Sequence, residues 1–241
     1  MNWREGLENW PAGLPRFELT SQDNTALLTI DMQHYCAHRD YGLGKVIKEK
    51  FPDMWNYYYT HLEDTVIPNQ QRLLRFFRQQ GWRVIHVAVG PLLPDGSDMF
   101  ARRRLRDKER IDVTNSPHFF YKGTFEHSIL EALAVQPGEL VVNKNSSGTF
   151  NSTPLDQYLR NMGIDSLVIV GVLTNACVET TARDAADRGY NCILVEDGCA
   201  SFEQASHEAT LRSFARIFGK VMTTEEALSL LEGLTDPKTD S

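Results

Sequence analysis

Short apolar runs alternate along the chain with stretches whose apolar residues recur at helical spacing. The apolar runs predict buried strands; they cover residues 25–31, 82–89, 140–144, 166–172, 191–197 and 220–223. The intervening stretches predict helices; these lie within residues 64–81, 125–139, 153–163, 171–189, 203–219 and 224–234. Because strand and helix alternate about six times, the pattern predicts an α/β protein, a parallel sheet with helices on both faces.

Two stretches, residues 34–63 and 90–124, interrupt this alternation and are rich in aromatic, histidine and arginine residues. We predict them as long loops beyond the carboxyl ends of strands, where open α/β sheets bind their ligands. The aromatic segment at 54–61 could close a pocket or pack against another subunit, and the sequence does not separate these two interpretations.

The size and composition of the chain predict one domain. The 241 residues are 41% hydrophobic and 24% charged, which is typical of a globular protein. We therefore predict a single domain over residues 1–241, with 1–21 as an N-terminal extension and 235–241 as a frayed tail. A net charge of -7 argues against nucleic acid as a partner.

Cysteine usage and the absence of a targeting pattern predict a cytoplasmic protein. The cysteines, at positions 36, 177, 192 and 199, show no CxxC spacing, so neither a zinc ribbon nor a redox pair is indicated. The first residues lack the apolar core of a signal peptide, and no run approaches the roughly 18 apolar residues of a membrane span. We expect free thiols and no membrane partner.

Three chemically reactive residues lie at or just beyond the ends of predicted strands. Asp31 and Lys144 each end an apolar run, and Cys177 lies a short turn beyond residues 166–172. In a parallel sheet these ends meet at one edge. A helix N-terminus and a neighbouring ammonium would lower the pKa of the thiol, and the carboxylate could accept its proton and return it to a leaving amine.

Each of these residues also has a structural interpretation. A single buried cysteine is most often an inert core residue, a strand-end aspartate often caps a turn, and a strand-end lysine is often solvated. Together, however, the three residue types at three such positions favour a catalytic set.

The local sequence around these residues resembles a known family. The words "LLTIDMQ" and "VVNKNSSGTF", and the block at residues 141–201 that contains "GVLTNACVETTARDAADRG", resemble the isochorismatase-like cysteine hydrolases. That family includes nicotinamidases and the biuret, triuret, ureidoacrylate and N-carbamoylsarcosine amidohydrolases. The resemblance implies a six-stranded, Rossmann-like parallel sheet with helices on both faces.

The resemblance also implies the site residues. It assigns Asp31, Lys144 and Cys177 as a catalytic triad and places a cis peptide bond between Val172 and Leu173. The backbone N–H groups of Leu173 and Cys177 would then form the oxyanion hole.

Three further residues near the triad are candidate substrate contacts. These are Gln33, His34 and Asn175, and His34 stands where many relatives have asparagine.

Two departures within the family bear on chemistry and metal use. Isochorismatases proper lack the cysteine, so Cys177 favours amide hydrolysis. Nicotinamidases carry a metal site built around an Asp-x-His element, and residues 86–100 contain no such element. His86 lies inside an apolar run, where a hydrogen-bonded core histidine is more common than a ligand. We therefore predict no metal and no other cofactor.

The arginine-rich run at residues 101–110 has two interpretations. It could supply an arginine to a carboxylate or carbonyl of the substrate. A solvated surface laced with salt bridges is the more common meaning of such a run, and the sequence favours it.

The resulting hypothesis is a metal-independent cysteine amidohydrolase, cytoplasmic and homo-oligomeric (a dimer or a tetramer). It would cleave a small carbamoyl or ureido compound, similar to biuret, triuret, ureidoacrylate or N-carbamoylsarcosine, through a thioester and release ammonia. One alternative is an amidase for another small carboxamide, such as maleamate or nicotinamide. Another is a catalytically silent small-molecule-binding scaffold with the same fold.

Overall fold

A six-stranded parallel sheet organises the computed structural model, which describes residues 3–7, 9–114 and 120–235. The strands are β1 (Thr25–Ile30), β2 (Arg83–Val89), β3 (Leu140–Lys144), β4 (Ser166–Val172), β5 (Asn191–Ala200) and β6 (Lys220–Met222). Their order is β3-β2-β1-β4-β5-β6, and every neighbouring pair is parallel. The predicted fold class is confirmed. Because the chain reverses its direction across the sheet between β1 and β4, their carboxyl ends form the switch point where such sheets bind ligands.

Helices connect the strands. They are α1 (His34–Ala37), α2 (Leu43–Lys50), α3 (Pro52–His61), α4 (Ile67–Gln79), α5 (Ala101–Thr114), α6 (Leu155–Asn161), α7 (Glu179–Asp187), α8 (Gln204–Ile217) and α9 (Thr224–Glu232). Single π-helical turns precede α4 (Leu62–Val66) and α7 (Thr174–Val178). Within the described residues, no helix combines the length and apolar character that crossing a bilayer requires.

Two hydrophobic cores cover the two faces of the sheet. Leu27 of β1 packs in the core that α4 and α9 close, together with Phe77. The next residue, Leu28, points to the other face and packs with α6, α7 and α8, whose Leu211 is fully buried. The alternation of strand side chains between faces therefore gives two cores, which is why the predicted strands read as continuous apolar runs.

The connections differ from the sequence prediction at three places. Residues 34–63 and 90–124, predicted as loops, contain α1 to α3 and α5. The helix predicted within 125–139 is wrong, since only a 3₁₀ turn forms there, at Glu131–Leu133. The backbone of this segment instead bonds to the segment after β1, and Ile129 forms an antiparallel bridge with Gln33. These long-range bonds outweigh the local helical pattern.

His86 is a hydrogen-bonded core histidine, as the sequence predicts. Its side chain has no exposed surface; Nδ1 lies 2.8 Å from Thr29 Oγ1 and Nε2 lies 3.1 Å from Glu139 Oε2. Burial lowers the pKa of His86, and Glu139 only partly opposes this effect. Glu139 is in turn bound by Arg78 at 2.7 Å.

The N-terminal extension packs against the end of the sheet that carries β5 and β6. Trp3 is buried and its indole N–H donates to Glu196 at 2.6 Å, while Arg4 donates to Glu196 and Glu226. The tail predicted to be frayed lies, beyond Thr235, outside the described residues.

We expect the close approach of β4 to β1 at the switch point to require glycine at position 171. Its φ is +129°, and a Cβ there would lie 2.2 Å from the carbonyl oxygen of Ile30, a backbone atom that cannot give way. We expect Gly171→Ala to lower the free energy of unfolding by about 3 kcal/mol or more, measured by urea denaturation. Gly163→Ala is the control, because Gly163 has φ +71° but open space around it, and it should cost about 1–2 kcal/mol. Equal losses would show that the close approach is not what requires glycine at 171.

Candidate active site

The three predicted catalytic residues meet at the carboxyl edge of the sheet. Asp31 follows β1, Lys144 ends β3, and Cys177 lies in the π-helical turn after β4. Lys144 Nζ is 2.9 Å from Asp31 Oδ2, and the two side chains are 0% and 1% exposed. Both charged groups interact with the Cys177 thiol. The structure thus brings together residues that are up to 146 positions apart in the sequence.

Lys144 is held as an ammonium. Burial, the largest single effect, lowers the pKa of this lysine, but the charges and hydrogen bonds of Asp31 and Cys177 together outweigh burial and raise the pKa above its usual value. Nζ also donates to the carbonyl oxygen of Ser146 at 3.0 Å. A buried charge of this kind is tolerated only because its partners compensate for the water that it has lost.

The backbone has uncommon conformations at Asp31 and just before the turn that carries Cys177. Asp31 has φ +55°, a left-handed conformation that is uncommon for a residue other than glycine, and its N–H donates to Val87 at 2.9 Å. The peptide bond between Val172 and Leu173 is cis, at the position that the family resemblance implies. The Leu173 carbonyl then accepts from the N–H groups of Ala176 and Val178, which folds the turn that carries Cys177.

The pKa of the Cys177 thiol differs from the sequence expectation. Burial first, and the neighbouring carboxylate of Asp31 second, raise the pKa of the Cys177 thiol to about 11, and Lys144 only partly opposes them. The expectation of a lowered pKa is therefore wrong, because the sequence shows the lysine and the helix but not the loss of solvent. At neutral pH the thiol therefore keeps its proton, and the Asp31 carboxylate, a group that could accept this proton, is beside it.

A small cavity opens onto the thiol. Its volume is about 190 Å³, room for about six water molecules. Its lining combines the reactive groups with aromatic, aliphatic and basic side chains: Asp31, Tyr35, Cys36, Leu43, Tyr58, Val89, Arg103, Arg106, Ser147, Val172, Leu173, Ala176, Cys177 and Phe202. Tyr58 is fully buried and comes from the aromatic segment at 54–61, which therefore contributes to closing the pocket.

Nothing in the sequence indicated that most of these residues line a cavity. Tyr35, Arg103 and Phe202 come from three separate connections, and only the arginine had a signal, as part of the 101–110 run. That run forms α5, and two of its arginines reach the cavity. Cys36 also lines the cavity, whereas Cys192 and Cys199 are core residues with no exposed surface.

The three predicted substrate contacts lie outside the cavity lining. The Gln33 amide donates both its N–H groups to the carbonyls of Val89 and His127, and its oxygen accepts from the Val89 N–H, so each of these bonds joins Gln33 to a backbone segment. His34 is 1% exposed and lies 2.8 Å from Glu131. Asn175 accepts from the Ser201 hydroxyl at 2.8 Å. Gln33 and His34 are buried and would have to break contacts within the chain to touch a substrate, whereas Asn175 is exposed.

Side chains of the types that bind metal ions do not cluster in the described part of the chain. Over the ranges that the structure describes, no three His, Cys, Asp or Glu side chains are grouped so that they could hold a metal ion. The reactive groups at the cavity are the Lys144–Asp31 ion pair and the Cys177 thiol, which are suited to acid–base and nucleophilic chemistry.

Comparison with known proteins places the chain in a family. The Isochorismatase domain model matches residues 25–226, which is most of the chain. The chain therefore belongs to the isochorismatase family, as the sequence resemblance implies, and it is a hydrolase.

Two relatives show how the similarity is distributed. YwoC of Bacillus subtilis, named an uncharacterised isochorismatase family protein, is 35% identical over 166 residues, 68% of this chain and 82% of YwoC. The ureidoacrylate amidohydrolase RutB of Methylorubrum extorquens is 35% identical over 156 residues, 63% of this chain. The match spans 61% of that relative's length.

A solved structure extends the similarity to nearly the whole chain. A cysteine hydrolase from Pseudomonas syringae pv. phaseolicola superimposes with a TM-score of 0.74 at 26% identity, covering 92% of this chain and 98% of that one. Its name agrees with the presence of a cysteine at the switch point here.

The raised pKa of Cys177 predicts a pH profile for its alkylation by iodoacetamide. Because only the thiolate reacts, the rate should be low near neutral pH and rise until about pH 11. Asp31→Asn removes the charge that raises the pKa and should move the profile to lower pH, whereas Lys144→Met should move it to higher pH. Alkylation rates over a pH series, with the modified peptide identified by mass spectrometry, measure this. A profile that stays in place in both variants would contradict the assigned electrostatics.

Proposed function

We propose that the protein is a cysteine amidohydrolase that cleaves a carbon–nitrogen bond, other than a peptide bond, in a small carbamoyl or ureido compound and releases ammonia. The observation that carries the proposal is the buried ion pair of Lys144 and Asp31, 2.9 Å apart, beside Cys177 in a cavity of about 190 Å³. An inert buried cysteine needs no such pair, because leaving two charges without water costs free energy.

The first step is attack by sulfur. Asp31 takes the proton of the Cys177 thiol as the sulfur attacks the carbonyl carbon, so a free thiolate need not accumulate. Lys144 keeps its charge and stabilises the negative charge that passes between Asp31 and the sulfur. In this proposal the N–H groups of Leu173 and Cys177 bind the oxyanion that develops on the carbonyl oxygen.

The second step expels the amine. Asp31, now protonated, returns the proton to the leaving nitrogen as the carbon–nitrogen bond breaks, and ammonia leaves. For a substrate R-NH-CO-NH₂ the species left on Cys177 is a carbamoyl thioester. Asp31 is again a carboxylate and can act as a base.

The third step restores the thiol. Asp31 takes a proton from water, whose oxygen attacks the thioester carbon, and the carbon–sulfur bond breaks with that proton returned to sulfur. The product is a carbamate, which decomposes to carbon dioxide and the amine. One water is consumed and one ammonia released in each turnover.

Two observations support a small substrate of this class. The cavity holds only about six waters and is walled by Tyr58 and Phe202, so a peptide or protein would not fit. The curated relatives include proteins named ureidoacrylate amidohydrolase. We therefore expect no activity on peptides.

Replacing the nucleophile tests the proposal. In an ammonia-release screen over ureido, carbamoyl and simple carboxamide compounds, the wild-type chain should release ammonia from at least one ureido or carbamoyl compound. Cys177→Ala should reduce that rate by at least about 10⁴-fold, because the thioester can no longer form. Cys192→Ser is the matched control, since Cys192 is a core residue remote from the cavity lining. Retained turnover in a folded Cys177→Ala variant would contradict the mechanism, as would a covalent adduct on any other residue.

A second test concerns metal dependence. The sequence lacks the Asp-x-His element of the metal-dependent relatives, so we expect turnover to survive exhaustive dialysis against EDTA. The rate before and after dialysis, with metal content followed by mass spectrometry, measures this. Loss of activity that zinc, iron or manganese restores would show that a metal takes part.

A further inference from the structure

Arg103 is a basic side chain in the cavity wall for which the three-step mechanism has no use. It lies on α5 and lines the same cavity as Cys177, with only 10% of its side chain exposed. Its neighbours on α5, Arg102 and Arg104, differ from it, because they are exposed and do not line the cavity. An arginine with so little exposed surface needs a partner that compensates for the loss of water.

Its anchoring leaves one end of the guanidinium for a ligand. Nε donates to Asp107 Oδ2 at 2.7 Å, and the charged carbon lies 5.8 Å from the Phe120 ring. Asp107 is 3% exposed, so this contact fixes the side chain from inside the protein. Among the described residues the hydrogen bond of Arg103 is made through Nε, which leaves its two Nη groups with four donors in one plane.

The planar arrangement of the Nη donors of Arg103 determines which ligand fits. Two parallel N–H bonds of a guanidinium match the two oxygens of a carboxylate, and the match is strongest where water is excluded. The charges at the reacting end of the cavity already balance, because Asp31 and Lys144 pair with each other. An anionic group on the substrate would therefore find its partner at Arg103 and not at the triad.

We propose that Arg103 binds a carboxylate carried by the substrate, so that the preferred substrates are carbamoyl or ureido acids and not neutral ureas. That the bound molecule is a substrate rests on the proposed function. That Arg103 binds a carboxylate does not depend on it. Arg103 acts in this scheme as a specificity residue. The exposed Arg106 stands beside it in the wall and is screened by solvent.

A pair of alkylating probes tests the site without turnover. Iodoacetate and iodoacetamide have nearly the same size, and each forms a carbon–sulfur bond with the Cys177 thiolate as iodide leaves. Only iodoacetate carries a carboxylate. We expect the ratio of their rates at Cys177 to exceed the ratio for glutathione by about tenfold or more. In Arg103→Gln the ratio should fall to within about threefold of the glutathione value.

Three further variants make the result specific. Arg104→Gln, an exposed position on the same helix, should leave the ratio unchanged. Arg103→Lys keeps the charge but loses the planar pair of donors, and it should give an intermediate ratio. Because Arg103→Gln leaves Asp107 without this partner, the double variant Arg103→Gln/Asp107→Asn is measured as well and should match Arg103→Gln. An equal ratio in the wild-type chain and in these glutamine variants would overturn the proposal.

Hydrolysis then separates this proposal from the proposed function. The matched substrates are 3-ureidopropionate and N-propylurea, which carries a methyl group in place of the carboxylate. We expect kcat/KM to favour the acid by about tenfold or more in the wild-type chain, and Arg103→Gln to lose that preference through KM. Equal cleavage of both would refute the role of Arg103 while leaving the amidohydrolase intact. If no ureido or carbamoyl compound is cleaved, the proposed function fails, and the alkylation ratio still decides the anion site.

Discussion

The buried ion pair between Lys144 and Asp31 is the constraint around which the site is arranged. Two opposite charges with almost no exposed surface are stable only as a pair, and removing one partner typically costs about 3–5 kcal/mol. Asp31 follows β1 and Lys144 ends β3, with β2 between them in the sheet. The pairing therefore requires these three strands to hold their order and register, so the electrostatics of the site and the topology of the sheet depend on each other.

The same pair determines how the thiol behaves. Loss of solvent and the Asp31 carboxylate raise the pKa of Cys177, while the Lys144 ammonium works in the opposite direction. The site at rest holds a neutral thiol between two charges that cancel. In the proposed mechanism, transfer of one proton from sulfur to Asp31 moves the negative charge from the carboxylate to the sulfur, and both groups interact with the Lys144 ammonium, which would limit the free-energy cost of forming the nucleophile.

In the proposed function, different parts of the chain select the substrate. The sheet and the turn after β4 carry Asp31, Lys144 and Cys177, whereas much of the cavity wall comes from α1, α2, α3, α5 and the segment after β5. These elements lie at the carboxyl edge, where open α/β proteins vary their connections to bind different ligands. Arg103 and Tyr58 illustrate the division, since both contact the cavity and neither belongs to the sheet.

The sequence by itself determined the strands and the helices on both faces of the sheet. It also determined that Asp31, Lys144 and Cys177 lie at or just beyond strand ends. It did so because apolar periodicity and chain direction are local properties. Only the tertiary structure decided the helices at 34–63 and 90–124, the extended segment near Ile129, and the backbone contacts that use Gln33. It alone also reversed the expected pKa shift of Cys177 and brought Arg103 into the cavity. Burial and contacts between distant segments set these features, and neither is encoded in the residues beside them.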